Sequence, residues 1–334
     1  MDLNTLWFLL ITVLFTGFFV LEGFDYGVGM LLLGRNNYER SMFIRSIGPV
    51  WDGNEVWMIT AGGAMFAAFP HVYATMFSTF YIALFLMLLG LIFRGVAFEL
   101  RGKYPAQDWR TFWDGAIFFG SLIPALLWGV AVTNLLQGLP INAQMHYLGS
   151  FGDLLSPYTL IGGLAFVFVF IFHGAAFLTL KIGDEGLLLN IRRTSIKFGV
   201  IAAFLYVVMI GMSITSTDVM RNGFGGIILF AIAAAAFLFG IFSMYRGNSM
   251  TAFVGTTIAI ALTVIQFFIA LFPRLMVSSL NPDWSLTIYN AASTPHTLMI
   301  MTGAAGVMVP IVLIYQAWTY RLFKERITRA DLKH

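Results

Sequence analysis

The sequence contains no cysteine. This absence excludes disulfide bonds, and it excludes cysteine-ligated zinc, thiolate-ligated haem and iron–sulfur clusters held by this chain. Charged side chains are also scarce, at 10% of the 334 residues, against about 25% in a typical soluble domain. Hydrophobic residues make up 59%, and the mean hydropathy is +0.84. The composition excludes a soluble α/β domain, gives no indication of a nucleic-acid partner and predicts a polytopic protein surrounded by membrane lipid.

The first apolar run lacks the features of a cleaved signal peptide. It extends from Leu3 to Leu33 with no basic residue before or within it, and a cluster of arginines follows it. Signal peptides have a positively charged start and a shorter apolar region. We therefore expect this run to remain as a membrane span.

Apolar stretches of about 20 residues, the length that crosses a bilayer, recur along the whole chain. They predict nine helices, at roughly 5–33, 53–70, 73–93, 113–134, 158–180, 197–216, 224–244, 252–272 and 297–320. The second is short, and a tight turn at Pro70-His71 separates it from the third. No linker or soluble domain interrupts the chain, so we expect residues 1–334 to form a single all-α membrane domain.

Lysine and arginine are distributed unevenly over the predicted loops. With nine spans, all but two of the 19 basic residues fall on one side of the membrane, and only Arg221 and Arg274 fall on the other. Loops rich in basic residues face the cytoplasm. The N-terminus is therefore predicted outside and the C-terminus in the cytoplasm.

Two acid pairs stand out in this apolar chain, Glu22 with Asp25 and Asp52 with Glu55. Residues three apart lie on one helix face, and an acid in lipid costs roughly 2.5–3.5 kcal/mol on insertion scales. Asp25 lies ten residues before Arg35, which places it about 15 Å from the cytoplasmic edge. Both pairs are therefore expected to face the protein interior in its cytoplasmic half, where they would form a proton path.

Each pair also has a structural interpretation. Asp52 and Glu55 have the spacing of a capping box, in which Asp52 would only satisfy free amides at a helix start. Glu22 and Asp25 lie between apolar residues, so their alternative is a buried hydrogen-bonded network without a transport role.

Three other polar residues have ordinary explanations. Arg94 could pair with an acid, but a position near the end of a span favours snorkelling to the interface. Asp114 is expected at the start of the fourth predicted helix, as a cap or in favourable interaction with the helix dipole. His173 is the histidine within a predicted span; we expect a hydrogen-bonded packing residue, and contact with a haem or quinone is the less favoured alternative.

Several motifs make the chain resemble a known family, subunit II of the cytochrome bd-type quinol oxidases. The two longest are GFDYGVGM at 23–30 and WDGNEVW at 51–57. Further matching segments are spread to the C-terminus, at 60–64, 93–94, 134–138, 285–288, 290–291, 309–310 and 318–320.

This resemblance implies a nine-helix fold of two four-helix bundles plus one peripheral helix. It also implies a heterodimer with a haem-bearing subunit I, in which haems b558, b595 and d and the quinol site belong to subunit I. This chain alone would then not be catalytic and would bind no haem, although a structural quinone or lipid and small single-helix accessory subunits are compatible with it. The complex would oxidise quinol and reduce dioxygen to water in a bacterial or archaeal cytoplasmic membrane.

On the family pattern, Asp25 and Asp52 match acids of a proton route toward the haems. Glu22 and Glu55 are carried over less directly, because family members differ at those places. Two other functions remain as alternatives, a proton-coupled transporter that uses the same acids and a purely structural subunit. Many transporters carry broken helices in two matched halves, and this sequence shows no obvious pair.

Overall fold

The computed structural model describes residues 2–219 and 225–333, and helices dominate it. The helices are α1 (Leu3–Met30), α2 (Asn37–Ile47), α3 (Trp51–Ala68), α4 (Pro70–Thr79), α5 (Tyr81–Leu100), α6 (Gln107–Gln137), α7 (Pro157–Lys181), α8 (Glu185–Ser216), α9 (Gly225–Tyr245), α10 (Ser249–Leu271) and α11 (Pro295–Leu322). Two short strands, β1 (Arg274–Met276) and β2 (Leu286–Thr287), pair antiparallel in the segment between α10 and α11.

Eight of the described helices, α1 and α5 to α11, are long and apolar enough to cross a membrane. Helix α3 coincides with the predicted second span. Its 18 residues include the polar segment Asp52–Glu55, so it is not apolar enough to be counted with these eight. The nine spans, their orientation and the two four-helix bundles therefore stay predictions. Of the two basic residues predicted outside, Arg221 lies outside the described residues, and Arg274 pairs with Asp218 at 2.7 Å.

Three of the differences from the predicted helices reflect local chemistry. The predicted third span is divided at Phe80, whose backbone (φ −97°, ψ 19°) separates α4 from α5. Helix α8 begins well before its predicted start, because Asp184 caps it by accepting from the Leu187 amide at 3.0 Å. Helix α2 was not predicted, since it is too polar for a span. A reciprocal capping box of Asn36 and Glu39 starts it.

The tight turn predicted at Pro70-His71 lies one residue earlier, at Phe69, because Pro70 and His71 already belong to α4. Phe69 has a non-helical backbone (φ −132°, ψ 64°), and α4 starts at Pro70. A proline disfavours the helical conformation in the residue before it. Ser293 closes the C-terminal end of α3, because its backbone N–H donates to the Ala68 carbonyl at 2.8 Å.

Helix α1 lies at the centre of the described chain and packs on α3, α6, α7 and α10. Its closest approach to α7 occurs where two glycines face each other. A Cβ added at Gly27 would overlap the carbonyl oxygen of Phe170, and one added at Gly174 would lie 2.5 Å from the Val28 nitrogen. The small residues let the two backbones touch, which fixes the half of α1 that carries the acids.

Helix α11 lies at the outside of the chain. In its most apolar window only 6% of the residues are buried, compared with 72% in α7. Helix α5 also exposes a row of large apolar side chains. Both helices therefore leave apolar faces that the described residues of this chain do not cover.

Candidate functional site

Arg94 on α5 reaches into the centre of the protein and meets the acids of α1. Its Nη2 lies 2.5 Å from Oε1 of Glu22, and both side chains are completely buried. The same Nη2 lies 3.6 Å from Oε1 of Glu55, whose side chain is 18% exposed. The guanidinium also stacks over the ring of Tyr26, at 4.8 Å from its centroid. The expectation that Arg94 snorkels to the interface is therefore wrong, because α5 continues past it to Leu100.

Asp25 is held from the other side by an amide. Asn54 on α3 donates from Nδ2 to Oδ2 of Asp25 at 2.7 Å, and both residues are buried. The Asn54 carbonyl oxygen in turn accepts from the Tyr320 hydroxyl at 2.7 Å and from Nε2 of Gln316 at 3.4 Å. Helix α11 thus contributes two polar side chains to a site built on α1, α3 and α5.

The cluster holds more acid than base. Glu22, Asp25 and Glu55 are carboxylic acids, and Arg94 is the one base that contacts them within the described residues. Apart from its ion pairs with Glu22 and Glu55, the Arg94 guanidinium has no polar partner within the described residues. Oδ1 of Asp25 has no hydrogen-bond donor within that part of the chain. A buried carboxylate without a partner is costly, and neutralisation by a proton removes most of that cost.

Asp52 does not join this cluster. It is exposed near the start of α3, one helical turn before Glu55. The capping box proposed for this pair is wrong, because the helix begins at Trp51, its N-cap is Val50 and no side chain caps it. Asp52 therefore lies at the second position of the helix, with its side chain directed to the surface.

A second set of charged side chains lies where α2, the end of α5 and the start of α6 meet. Asp114 accepts from Nε of Arg101 at 2.5 Å and from Nη1 of Arg40 at 2.9 Å. Arg101 also donates to the Ser41 hydroxyl at 3.1 Å. The expectation that Asp114 caps a helix start is wrong, since α6 begins at Gln107 and Asp114 lies two turns inside it. These contacts tie α2, α5 and α6 together.

His173 on α7 is buried away from the acids. Its Nδ1 lies 2.6 Å from the Thr256 hydroxyl and its Nε2 lies 3.0 Å from the Val20 carbonyl. Its ring stacks on Phe253, with the centroids 4.8 Å apart. Both nitrogens are therefore used within the protein, which is the geometry of the packing residue that we expected.

Comparison with known proteins identifies the family. A model of the family described as cytochrome bd terminal oxidase subunit II matches residues 3–323. The chain belongs to this family. It is 41% identical over 334 residues to cytochrome bd ubiquinol oxidase subunit 2 of Bacillus subtilis (strain 168), covering 99% of this chain and 98% of that one. It is 40% identical over 367 residues to cytochrome bd-I ubiquinol oxidase subunit 2 of Escherichia coli (strain K12), covering 99% and 97%.

The fold also matches a solved member of the oxidase group. A chain in the structure of bd oxidase from Geobacillus thermodenitrificans superimposes with a TM-score of 0.79 over 97% of this chain and 99% of that chain. At 17% identity this match concerns the fold alone. The resemblance drawn from the motifs is confirmed. The family, its bacterial relatives and the apolar helices indicate a multi-pass protein of the bacterial inner membrane.

The cytochrome bd family implies haems in the partner subunit. No group of three or more His, Asp or Glu side chains that could hold a metal ion comes together within the described residues of this chain. His173, the buried histidine of α7, has both nitrogens within hydrogen-bond distance of protein groups.

Proposed function

We propose that this chain is the haem-free subunit of a respiratory quinol oxidase and that its buried acids deliver protons for the reduction of dioxygen to water. Its partner would be a haem-bearing subunit I, which holds haems b558, b595 and d and the quinol site. The relatives support this assignment, because their names describe subunits of cytochrome bd ubiquinol oxidases. This chain alone would not be catalytic.

The observation that carries the proton role is a stepwise burial of acids along α3 and α1. Asp52 is exposed near the start of α3, Glu55 is 18% exposed one turn further, and Glu22 and Asp25 are completely buried behind it. The basic loops predict that the start of α3 faces the cytoplasm. The acids thus form a series from the predicted cytoplasmic surface to the interior of the membrane.

The charge balance gives these acids a proton to exchange. One guanidinium can balance one buried carboxylate, so Arg94 beside Glu22 leaves Asp25 without a cation of its own. Asp25 would then be the buried acid that alternates between its neutral and ionised forms. A proton arriving through Glu55 could occupy Asp25 and leave toward the partner subunit. Dioxygen would be reduced in the partner subunit, while the residues of this chain hold and pass the proton.

The partner would cover the exposed apolar face of α5. Phe85, Leu88 and Ile92 recur at helical spacing on this face, and each is more than half exposed. The same helix carries Arg94 on its buried side, so α5 lies between this face and the acid cluster. A subunit docked here would receive protons without any solute crossing this chain, which distinguishes the proposal from a proton-coupled transporter.

The experiment is Asp25→Asn in the purified complex. The amide cannot release a proton, so quinol oxidase turnover should fall about tenfold or more, while the reduced-minus-oxidised haem spectrum stays unchanged. The matched control is Asp108→Asn, an exposed acid at the start of α6, which should leave turnover unchanged. Unaltered turnover in Asp25→Asn would favour a purely structural subunit, and a haem-free preparation that transports a solute would favour the transporter.

A further inference from the structure

A chain of hydrogen bonds connects Asp25 to the outlying helix α11. The Trp57 indole nitrogen donates to Oε1 of Gln316 at 2.7 Å. Nε2 of Gln316 donates to Oδ1 of Asn54 at 3.4 Å, and Nδ2 of Asn54 donates to Asp25 at 2.7 Å. These hydrogen bonds run from Trp57 on α3 to Gln316 on α11, back to Asn54 on α3 and then to Asp25 on α1.

The Trp57 indole sets which group donates and which accepts in each of these hydrogen bonds. An indole N–H can only donate, so the oxygen of the Gln316 amide must face Trp57 and its NH2 group must face Asn54. That NH2 group can only donate, so the oxygen of Asn54 must face α11. The NH2 group of Asn54 is then left to face Asp25. The Tyr320 hydroxyl, at 2.7 Å from the same Asn54 oxygen, strengthens this orientation.

We propose that Trp57, Gln316 and Tyr320 are positioning residues that hold the Asn54 amide as a hydrogen-bond donor to Asp25 and so set the pH at which Asp25 exchanges its proton. A donor to a carboxylate stabilises the ionised form. If the amide turned over, its oxygen would face Asp25 and would favour the protonated form instead. The inference rests on the proposed proton path and adds control of Asp25 by α11.

Substitutions of neutral side chains on α11 leave the charged groups around Asp25 unchanged. Such substitutions therefore test the effect of the Asn54 amide alone. The titratable groups that face Asp25 come from four helices: Glu22 and Tyr26 of α1, Glu55 of α3, Arg94 of α5 and Tyr320 of α11. From α7, His173 is directed toward Val20 and Thr256. Replacing neutral groups of α11 thus alters no formal charge near Asp25.

The anchoring of α11 supports a specific role for these contacts. Few of its residues are buried, and its middle carries exposed apolar side chains. One polar anchor joins it to α1, where the Trp7 indole donates to the Thr302 hydroxyl at 3.1 Å. The other is the set of contacts at Gln316 and Tyr320. A shift of α11 would therefore reach Asp25 through the Asn54 amide.

The test removes both donors to the Asn54 oxygen in the complete, haem-bearing complex. The variant is Gln316→Met with Tyr320→Phe, and the matched control is Tyr315→Phe, which removes an exposed phenol from the same helix. The primary readout is the infrared C=O band of the protonated Asp25 carboxyl, assigned by its loss in Asp25→Asn and followed against pH. The secondary readout is the pH profile of quinol oxidase turnover.

We expect the band of Asp25 to persist to a pH about one unit higher in the double variant, a tenfold change in proton affinity. The control should titrate as the unaltered complex does. In an Asp25→Asn background the double variant should cause no further change in the pH profile, because residues that act through one group are not additive.

An Asp25 band that titrates at the same pH in the double variant would overturn the inference. So would the absence of any band that Asp25→Asn removes, or an equal change of the pH profile in the Asp25→Asn background. The infrared readout needs no turnover, so it separates this inference from the proposed function. A shifted band with normal turnover in Asp25→Asn would contradict the proton path while leaving the positioning of Asp25 intact.

Discussion

Replacing Arg94 by methionine should destabilise the complex severely, because it leaves a carboxyl group buried without its cation. Arg94 and Glu22 are both completely buried, and 2.5 Å separates Nη2 from Oε1. Removing one partner of a buried ion pair costs about 3–5 kcal/mol. At about 2–4 °C for each kcal/mol, the range for soluble domains of 150–250 residues, the thermal midpoint should fall by about 6–20 °C, toward the lower end in this larger assembly.

The assay is thermal unfolding of the detergent-purified complex, followed by haem absorbance. The control is Arg193→Met, an exposed arginine of α8, which should change the stability by less than about 0.5 kcal/mol. Adding Glu22→Leu to Arg94→Met removes both charges and should restore most of the lost stability, since replacing a whole buried pair by apolar groups is often neutral. A double variant no more stable than Arg94→Met would show that Glu22 is not the acid that Arg94 compensates.

Three further substitutions test other parts of the account. Gly27→Ala should lower the thermal midpoint through overlap with the Phe170 carbonyl, at a cost of about 1–3 kcal/mol, whereas Gly62→Ala, with no atom nearby, should not. Asp114→Ala leaves Arg40 and Arg101 without their acid and should increase proteolysis within α2. The amide hydrogen bond from the first turn of α8 holds the pKa of Asp184 below its ordinary value of 3.8. The ionised Asp184 cap therefore stabilises α8 above that pH, and this stabilisation is lost as the pH falls through the lowered pKa. Amide exchange at the start of α8 should then accelerate. Asp184→Ala should abolish this pH dependence.

Most membrane helices could be read from the sequence because each is a long apolar run bounded by polar residues. The predicted spans for α7, α10 and α11 agree with the structure to within three residues at each end. Helix α2 could not be predicted in this way, since it lies outside the apolar runs and its signal is a capping box. The start of α8 was missed for a related reason, because the helix continues from the apolar run into a charged segment after Asp184.

The buried acids could be predicted and their counter-charge could not. Glu22 and Asp25 interrupt an apolar run, which marks them from sequence alone. Arg94 lies near the end of a predicted span, and only the continuation of α5 to Leu100 shows that it is interior. The capping alternative for Asp52 was wrong because the exact start of α3, at Trp51, depends on the preceding turn rather than on the acid.

The contacts from α11 were missed because no local pattern reports them. Asn54 and Gln316 are separated by 262 positions in sequence, and the packing of one helix against another decides which of their faces meet. One signal was available. Gln316 is the one amide side chain in the apolar sequence of α11, and a polar group in such a run needs a partner.

The most direct test of the proton path is the rate of proton uptake from the cytoplasmic side when the reduced complex, reconstituted in lipid vesicles, receives dioxygen. A pH indicator on that side follows the protons consumed as water forms. We predict that Asp25→Asn slows this uptake about tenfold or more, while Asp108→Asn matches the unaltered complex. Proton uptake at the unaltered rate in Asp25→Asn would contradict the account, because the buried acids of this chain would then lie off the route.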